Sequence, residues 1–460
     1  MRKPNLFKHT VVSAILMSAA SPSLAEPTGP SDETVSVAIA GDTIGLSHPM
    51  NRATDSRFAQ VAELFRNADV GFANLEGAVF DLWDFPGYPA AENGGGEPAY
   101  TTDFARDLRD MGVTLVSKAN NHATDWGYEG LVATFENLRR AGIAWAGAGV
   151  SASTARAPAY LTTAKGPIAL VATASTFPPM SIAGDAIVRR GVTTKPRPGI
   201  SVLRTREVRL VPPALLGSLR EAAGPLALEE GPAIRIGDQL FEANRGFGTR
   251  WDMKPSDQSE LLSAIDEGKA HAKLVIFSIH AHETAGDDDK PPPLPFQPMV
   301  LHRANEAPSP NDSRPAAFLP DLFHAAIDRG ADIVVRHGPH VVSGIEIYKG
   351  KPIFYGMGSI FLDFGGRRIL HTPAGEELIV PESWQESFVP ICVFRGHQLQ
   401  SIKIYPIEIE PNAGARSGMP SIATNEHGRA ILERLKQLSA AYRTKMEIVD
   451  GVGIISGPAK

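Results

Sequence analysis

Apolar runs in this chain end, again and again, in residues that could hold a metal ion. VSVAIAGDT closes on Asp42, GFANLEG carries Asn74 and Glu76, and VTLVSKANNHATD carries Lys118, Asn121, His122 and Asp125. KLVIFSIHAHE adds His280 and His282, and ADIVVRHGPH adds Arg336, His337 and His340. Carboxylates, imidazoles and a neutral carboxamide are the donor mixture of a hydrolytic centre for divalent cations. Two such ions about 3.5 to 4 Å apart polarise an electrophile and lower the pKa of water. Each residue also has a plain structural reading. His280 and His282 alternate as same-face residues of any strand do, Glu76 could cap a helix, and Asp42 could close an Asx-turn. Five separated clusters, each ending an apolar run, favour the chemical reading.

These clusters need a scaffold that brings distant strand ends together. Helical patterns at 55–66, 101–111 and 127–141 alternate with the apolar runs, as do IALVATAS and LPDLFHAAIDRG. That alternation predicts an α/β fold with helices covering a sheet. Open α/β sheets bind ligands at the carboxyl ends of their strands, where these residues fall. IEIYKGKPIFYG reads as a hairpin turning at Lys349-Gly350, and VPICVFRGHQLQSIKIYPIEIE as a pair turning at Gly396-His397. HGRAILERLKQLSAAYRT predicts a closing amphipathic helix. One domain spans 34–450, with insertions near 176–256 and 284–316. RLVPPALLGSLREAAG holds a short helix and GDQLFEANRGFGTRWD reads as irregular, while 284–316, rich in Pro, Asp and Ser, suits a surface rim or a lid.

Residues 1–25 combine Arg2, Lys3 and Lys8 with the apolar VVSAILMSAA and the small residues Ser23-Leu24-Ala25, the pattern of an export signal cleaved before Glu26. Residues 26–33 read as a flexible lead-in. The expected location is periplasmic or secreted, without a transmembrane anchor in the mature form. Cys392 is the single cysteine, so no internal disulfide forms, and its apolar setting predicts a buried thiol. Formal charge is -6; without the three basic residues of the signal, 42 basic residues face 51 acidic ones, a net of -9. An acidic chain lacking a Lys/Arg cluster is not built for nucleic acid.

GDT at 41–43, FANLEG at 72–77, KANNHATDWG at 118–127, HAHE at 280–283 and RHGPHVVSGIEIYKGKPIFYGMGSIFLD at 336–363 resemble, in this order, the motifs of the bacterial capsule-synthesis CapA family, also called poly-gamma-glutamate biosynthesis PgsA. That family is similar in turn to calcineurin-like metallophosphoesterases. The resemblance implies a four-layer α/β/β/α sandwich and two divalent metal ions, Mn, Fe or Zn. By motif, Asp42, Glu76, Asn121, His280 or His282, and the pair His337 and His340 answer to the metal ligands. His122 answers to the residue that contacts the oxyanion or protonates the leaving group, and Asp125 orients it. Asn74, Lys118 and Arg336 are candidates for substrate contact. The chain departs from the pattern where a His is expected two residues beyond Asp42: Ile44 stands there, and His48 is too distant to replace it. Glu76 also stands where a Gly-Asp motif is expected.

The expected activity is metal-dependent hydrolysis of a phosphoester or of a capsule or polyglutamate-type polymer. The partners implied are an anionic small molecule or polymer and the envelope machinery that handles it. The rival is a noncatalytic envelope protein that binds an anionic polymer or assists its export; a wall-peptide amidase is the third reading. No Walker-type phosphate loop is present, since GAGVSAS at 147–153 lacks the Gly-Lys-Ser/Thr.

Overall fold

Five strands carry the site: β1 (Thr34–Ile44), β2 (Val70–Leu75), β3 (Leu115–Ser117), β4 (Leu274–His280) and β5 (Ile333–His337). In this computed structural model the described residues are 33–44, 55–91, 98–285, 314–364, 369–371, 377–410, 414 and 416–457. The export-signal reading at 1–25, the lead-in up to residue 32, His48 and most of the 284–316 insertion lie outside them.

β1, β2 and β3 run parallel at the centre of a ten-stranded sheet, and β1 pairs antiparallel with Glu386–Arg395 on its other side. β4 and β5 run parallel in a six-stranded sheet, flanked by Gly166–Ala174 and by Lys351–Phe354. All seven residues of β4 are buried, and β2, β3 and β5 are buried throughout. Strands covered on both faces read as unbroken apolar runs because neither side meets water.

What covers the faces follows from the core. Val37 and Ile39 of β1, Phe72 of β2 and Leu115 of β3 pack with Leu274 and Ile276 of β4 and Ile333 and Val335 of β5, so the two sheets bury their inner faces together. The alternate residues of the first sheet, Ala38, Ala73 and Val116, pack under α1 (Ser56–Arg66), α2 (Asp103–Met111) and α3 (Gly127–Ala141) through Phe58, Phe65, Phe104, Leu108 and Leu138. The alternate residues of the second sheet, Val275, Phe277 and Val334, pack under α4 (Pro255–His271) and α5 (Phe318–Arg329) through Leu261, Ile265, Leu322 and Phe323. Period-two alternation thus sends one set of side chains between the sheets and the other beneath helices. The ends of the helices follow the same local chemistry. Asp55 caps α1 by accepting from Arg57 N, and Gly112 and Gly142 end α2 and α3 in the left-handed conformation.

The expected helices, the Lys349-Gly350 hairpin and the turn at Gly396-His397 are present. Cys392 is a buried free thiol, and burial pushes its pKa up. The segment GDQLFEANRGFGTRWD is not irregular. Gln239–Ala243 and Gly248–Met253 are strands of a separate five-stranded sheet, with Thr205–Val211 between them. Its charged residues pair with one another, as Arg250 does with Glu242 of another strand and with Asp252 of its own, and they hide the alternation that marks a strand. No helix among the described residues is long and apolar enough to cross a membrane.

Candidate metal centre

The carboxyl ends of β1, β2, β4 and β5 converge. Asp42 is held there by a close backbone approach. Its N–H donates to Gly358 O at 3.2 Å, and a Cβ at Gly41 would lie 1.8 Å from that same oxygen, so only glycine fits at 41. Asp42 Oδ1 accepts from Asn74 Nδ2 at 2.8 Å, and Oδ2 accepts from Gly338 N at 3.2 Å and lies 3.0 Å from His340 Nδ1. Burial raises the Asp42 pKa, but the hydrogen bond from His340 and the charges of His340, His337 and His280 outweigh it. The carboxyl is held well below the usual range.

Glu76 is in the opposite state. It is completely buried, and burial together with the Asp42 charge raises its pKa well above the usual carboxylate range. Oε2 accepts from Asn74 Nδ2 at 3.3 Å, while Oε1 has no hydrogen bond and faces His280 Nε2 at 3.6 Å and His122 Nε2 at 3.9 Å.

His280 and His282 place their Nε2 atoms 3.0 Å apart. Burial first, then mutual repulsion among imidazoles, holds His280 far below its ordinary pKa and His282 down to about 3. Burial lowers His337 to about 4, and neither of its ring nitrogens has a hydrogen bond, although Nδ1 lies 3.7 Å from Asp42 Oδ1. Neutral imidazoles with free lone pairs are the form that ligates metal.

Two groups of side chains have ligand atoms all within 4.8 Å of one another: Asp42, Glu76 and His280, and Glu76, His282 and His340. Glu76 belongs to both. A buried carboxylate oxygen without a donor, paired lone pairs on His280 and His282, and an orphaned His337 ring fit divalent cations. Unpaired buried groups of this kind are otherwise costly.

His122 borders the cluster. Its side chain is 21% exposed, and Nδ1 sits 2.6 Å from Asp125 Oδ2. The carbonyl of Asp125 accepts from Ala90 N and Ala91 N, which ties the dyad to the 80–91 loop. Asn121 is buried on the same turn. Asn120, given no role by sequence, donates Nδ2 to Leu75 O at 2.8 Å and to Asn74 Oδ1 at 3.3 Å, which orients the Asn74 amide toward the carboxylates.

The three residues expected to contact substrate are all fully buried. Asn74 is fully buried with its amide spent on Asp42 and Glu76. Arg336 is fully buried and donates to the carbonyls of Ala281, Tyr355 and Glu283, so it ties the ends of β4 and β5 together. Lys118 is fully buried with no hydrogen bond at Nζ; burial lowers its pKa to about 8 against the pull of Asp125 and Glu76. Ile44 joins Leu362 and Ile409 in an apolar cluster and offers no ligand. Two further residues were missed. Glu283 accepts from Ser175 Oγ and Thr176 Oγ1, and Trp384 packs on His340 with ring centroids 4.8 Å apart. A cavity of about 570 Å³ lined by Arg156, Asp185, Arg204 and Glu260 holds none of the site residues, so the chemistry lies elsewhere.

The family profile described as bacterial capsule synthesis protein PGA_cap matches residues 35–308 and 308–363. The chain belongs to this family. The match covers each strand end of the cluster. The Sinorhizobium fredii protein y4sH, named only as uncharacterized, is 32% identical over 90% of this chain and 91% of its own length. The PGA biosynthesis protein CapA of Bacillus subtilis is 24% identical over 74% of this chain and 66% of its own. The capsule biosynthesis protein CapA of Bacillus anthracis is 24% identical over 73% and 62%. The sequence resemblance to the CapA family therefore holds.

Proposed function

We propose that this PGA_cap protein is a metal-dependent hydrolase of the cell envelope that cleaves a phosphoester or a bond of a capsule or polyglutamate-type polymer. The observation that carries this reading is the sharing of Glu76 by two ligand groups. A carboxylate common to both sets is what a two-ion centre requires to hold its cations close. Helices, sheet, sheet and helices in sequence support a four-layer metallophosphoesterase-like sandwich. The names of the Bacillus relatives support a role in making or trimming polymer.

Asp42, Glu76, His280, His282 and His340 would hold the ions, with Asn121 and His337 completing the set. Bound Mn, Fe or Zn would polarise the scissile group and acidify water there. The chain's own residues do the rest. Asp42 stays ionised and counters cationic charge, and the buried histidines stay neutral with lone pairs available. His122, on the open side, steadies the developing anion or hands a proton to the leaving oxygen. Asp125 at 2.6 Å fixes which ring nitrogen faces the substrate. Asn74, Lys118 and Arg336 hold the centre from within.

One observation favours the noncatalytic polymer binder: Ile44 is buried against Leu362 and Ile409 instead of supplying a ligand. Metal content per chain, measured with turnover of bis(p-nitrophenyl) phosphate, separates the two. Bound metal and turnover lost in Asn121→Ala support the hydrolase. Metal without turnover of phosphoester, polyglutamate or wall peptide leaves the binder.

A further inference from the structure

We propose that Trp384 is a positioning residue that holds His340 in place, and that the two cation sites are therefore unequal, the Glu76–His282–His340 site depending on Trp384. This rests on the metal reading above.

The two ligand groups differ in enclosure. Asp42, Glu76 and His280 are all buried, whereas His282 in the second group is partly open. The second group also contains the one ligand on a strained backbone. His340 has φ 57°, in the left-handed region that side-chain-bearing residues rarely adopt, and such a residue persists only where its surroundings hold it. Two polar contacts act on a single ring atom: Nδ1 lies 3.0 Å from Asp42 Oδ2 and 3.4 Å from Ser359 Oγ. They anchor one edge of the imidazole.

Trp384 supplies contact with the ring itself, with centroids 4.8 Å apart and planes inclined at 68°, an edge-to-face arrangement. The indole is itself fixed. It sits in the short turn Glu382–Gln385, where Trp384 N donates to Pro381 O at 3.1 Å. Its ring packs on the apolar cluster of Ile44, Leu362 and Ile409. The apolar surface at Ile44 thus serves as a floor for the ring that braces His340. His340 also faces His282, with centroids 5.8 Å apart, so an unbraced His340 would loosen the second group directly and reach Asp42–Glu76–His280 only through its contact with Asp42.

Partners behind a ligand commonly change metal affinity about 10- to 100-fold when removed. The test is titration of the chelator-stripped full chain with Mn²⁺ alone, followed by calorimetry and by the EPR signal of free Mn²⁺. Wild type is compared with Trp384→Phe, Trp384→Ala and Trp384→Leu. The expected result is two ions in wild type, with the weaker class falling at least about tenfold in Trp384→Ala and recovering in Trp384→Phe. Trp384→Leu covers the apolar floor without an aromatic edge, so it gives the answer if the alanine variant does not fold; it should lose the weaker ion too. Two unchanged ions in Trp384→Leu, or equal weakening of both, overturns the role of Trp384 and leaves the metal centre standing. A folded wild type that takes up no Mn²⁺, Fe²⁺ or Zn²⁺ overturns the metal centre and this inference together.

Discussion

His280 Nε2 and His282 Nε2 face each other at 3.0 Å, and burial keeps both rings neutral. Two neutral imidazoles meeting through these atoms can share one hydrogen at most, and a bound cation would take the place of that hydrogen between the two ring nitrogens. A ligand that binds only the folded state raises stability with its concentration, by about 2.7 kcal/mol at a hundredfold excess over Kd. Stripping the protein with a chelator should therefore lower its melting temperature by several degrees, and Mn²⁺ or Zn²⁺ should restore it. An identical melting curve with and without metal would argue that the histidine pair is merely hydrogen-bonded.

Because Glu76 belongs to both ligand groups and His282 to one, their substitutions should part company. Glu76→Gln is expected to abolish binding of both ions, and His282→Ala to remove one. Elemental analysis of each purified variant gives the counts directly. Loss of a single ion in Glu76→Gln would show that the carboxylate is not shared.

How far the sequence revealed this centre depended on the neighbours of each residue. Asp42, Glu76, His280 and His340 were visible because each follows an apolar run, and strands buried on both faces leave such runs unbroken. The same property hid the number of sheets, since a strand between two sheets and one in a doubly wound sheet look alike. Lys118 and Arg336 read as substrate contacts because a charged residue beside a site suggests an exposed one, and both are fully buried. Arg336 instead meets three carbonyls from segments 19 to 55 residues away, which no local pattern encodes. Trp384 was invisible for a similar reason. It lies in the four-residue turn Glu382–Gln385, too short to show periodicity, and its meaning comes only from His340 packed beside it.

Lys118 has a pH signature of its own. Its folded pKa is lowered to about 8 from the ordinary 10.5, chiefly by burial, so the folded state releases the proton before the unfolded chain does. Below about pH 8 a buried charge weakens the fold; as pH rises from there to 10.5, stability gains about 1.4 kcal/mol per pH unit from this group at most. Lys118→Met lacks the proton and the gain. Urea unfolding of metal-free protein at pH 7.5, 9 and 10 should show wild type improving relative to Lys118→Met. Parallel pH curves for the two would mean that Lys118 stays charged, balanced by Asp125 and Glu76.

Asp125→Asn tests whether His122 acts chemically. The carboxylate lies 2.6 Å from His122 Nδ1 and accepts its proton, leaving Nε2 toward the Glu76 side, where it sits 3.9 Å from Oε1. With Nδ1–H bonded to Asp125, Nε2 has a hydrogen to give only when the ring is the cation, and an amide of the same shape removes the negative charge that partners this cation. The backbone carbonyl that receives Ala90 and Ala91 is untouched, so the loop and the fold should survive. Turnover of the phosphodiester reporter is expected to drop by about 10²- to 10⁴-fold, the usual scale for an acid–base group. Metal content and melting temperature should stay at wild-type values. A variant that keeps its metals and full turnover would remove His122 from the chemistry and leave it a structural neighbour of Glu76.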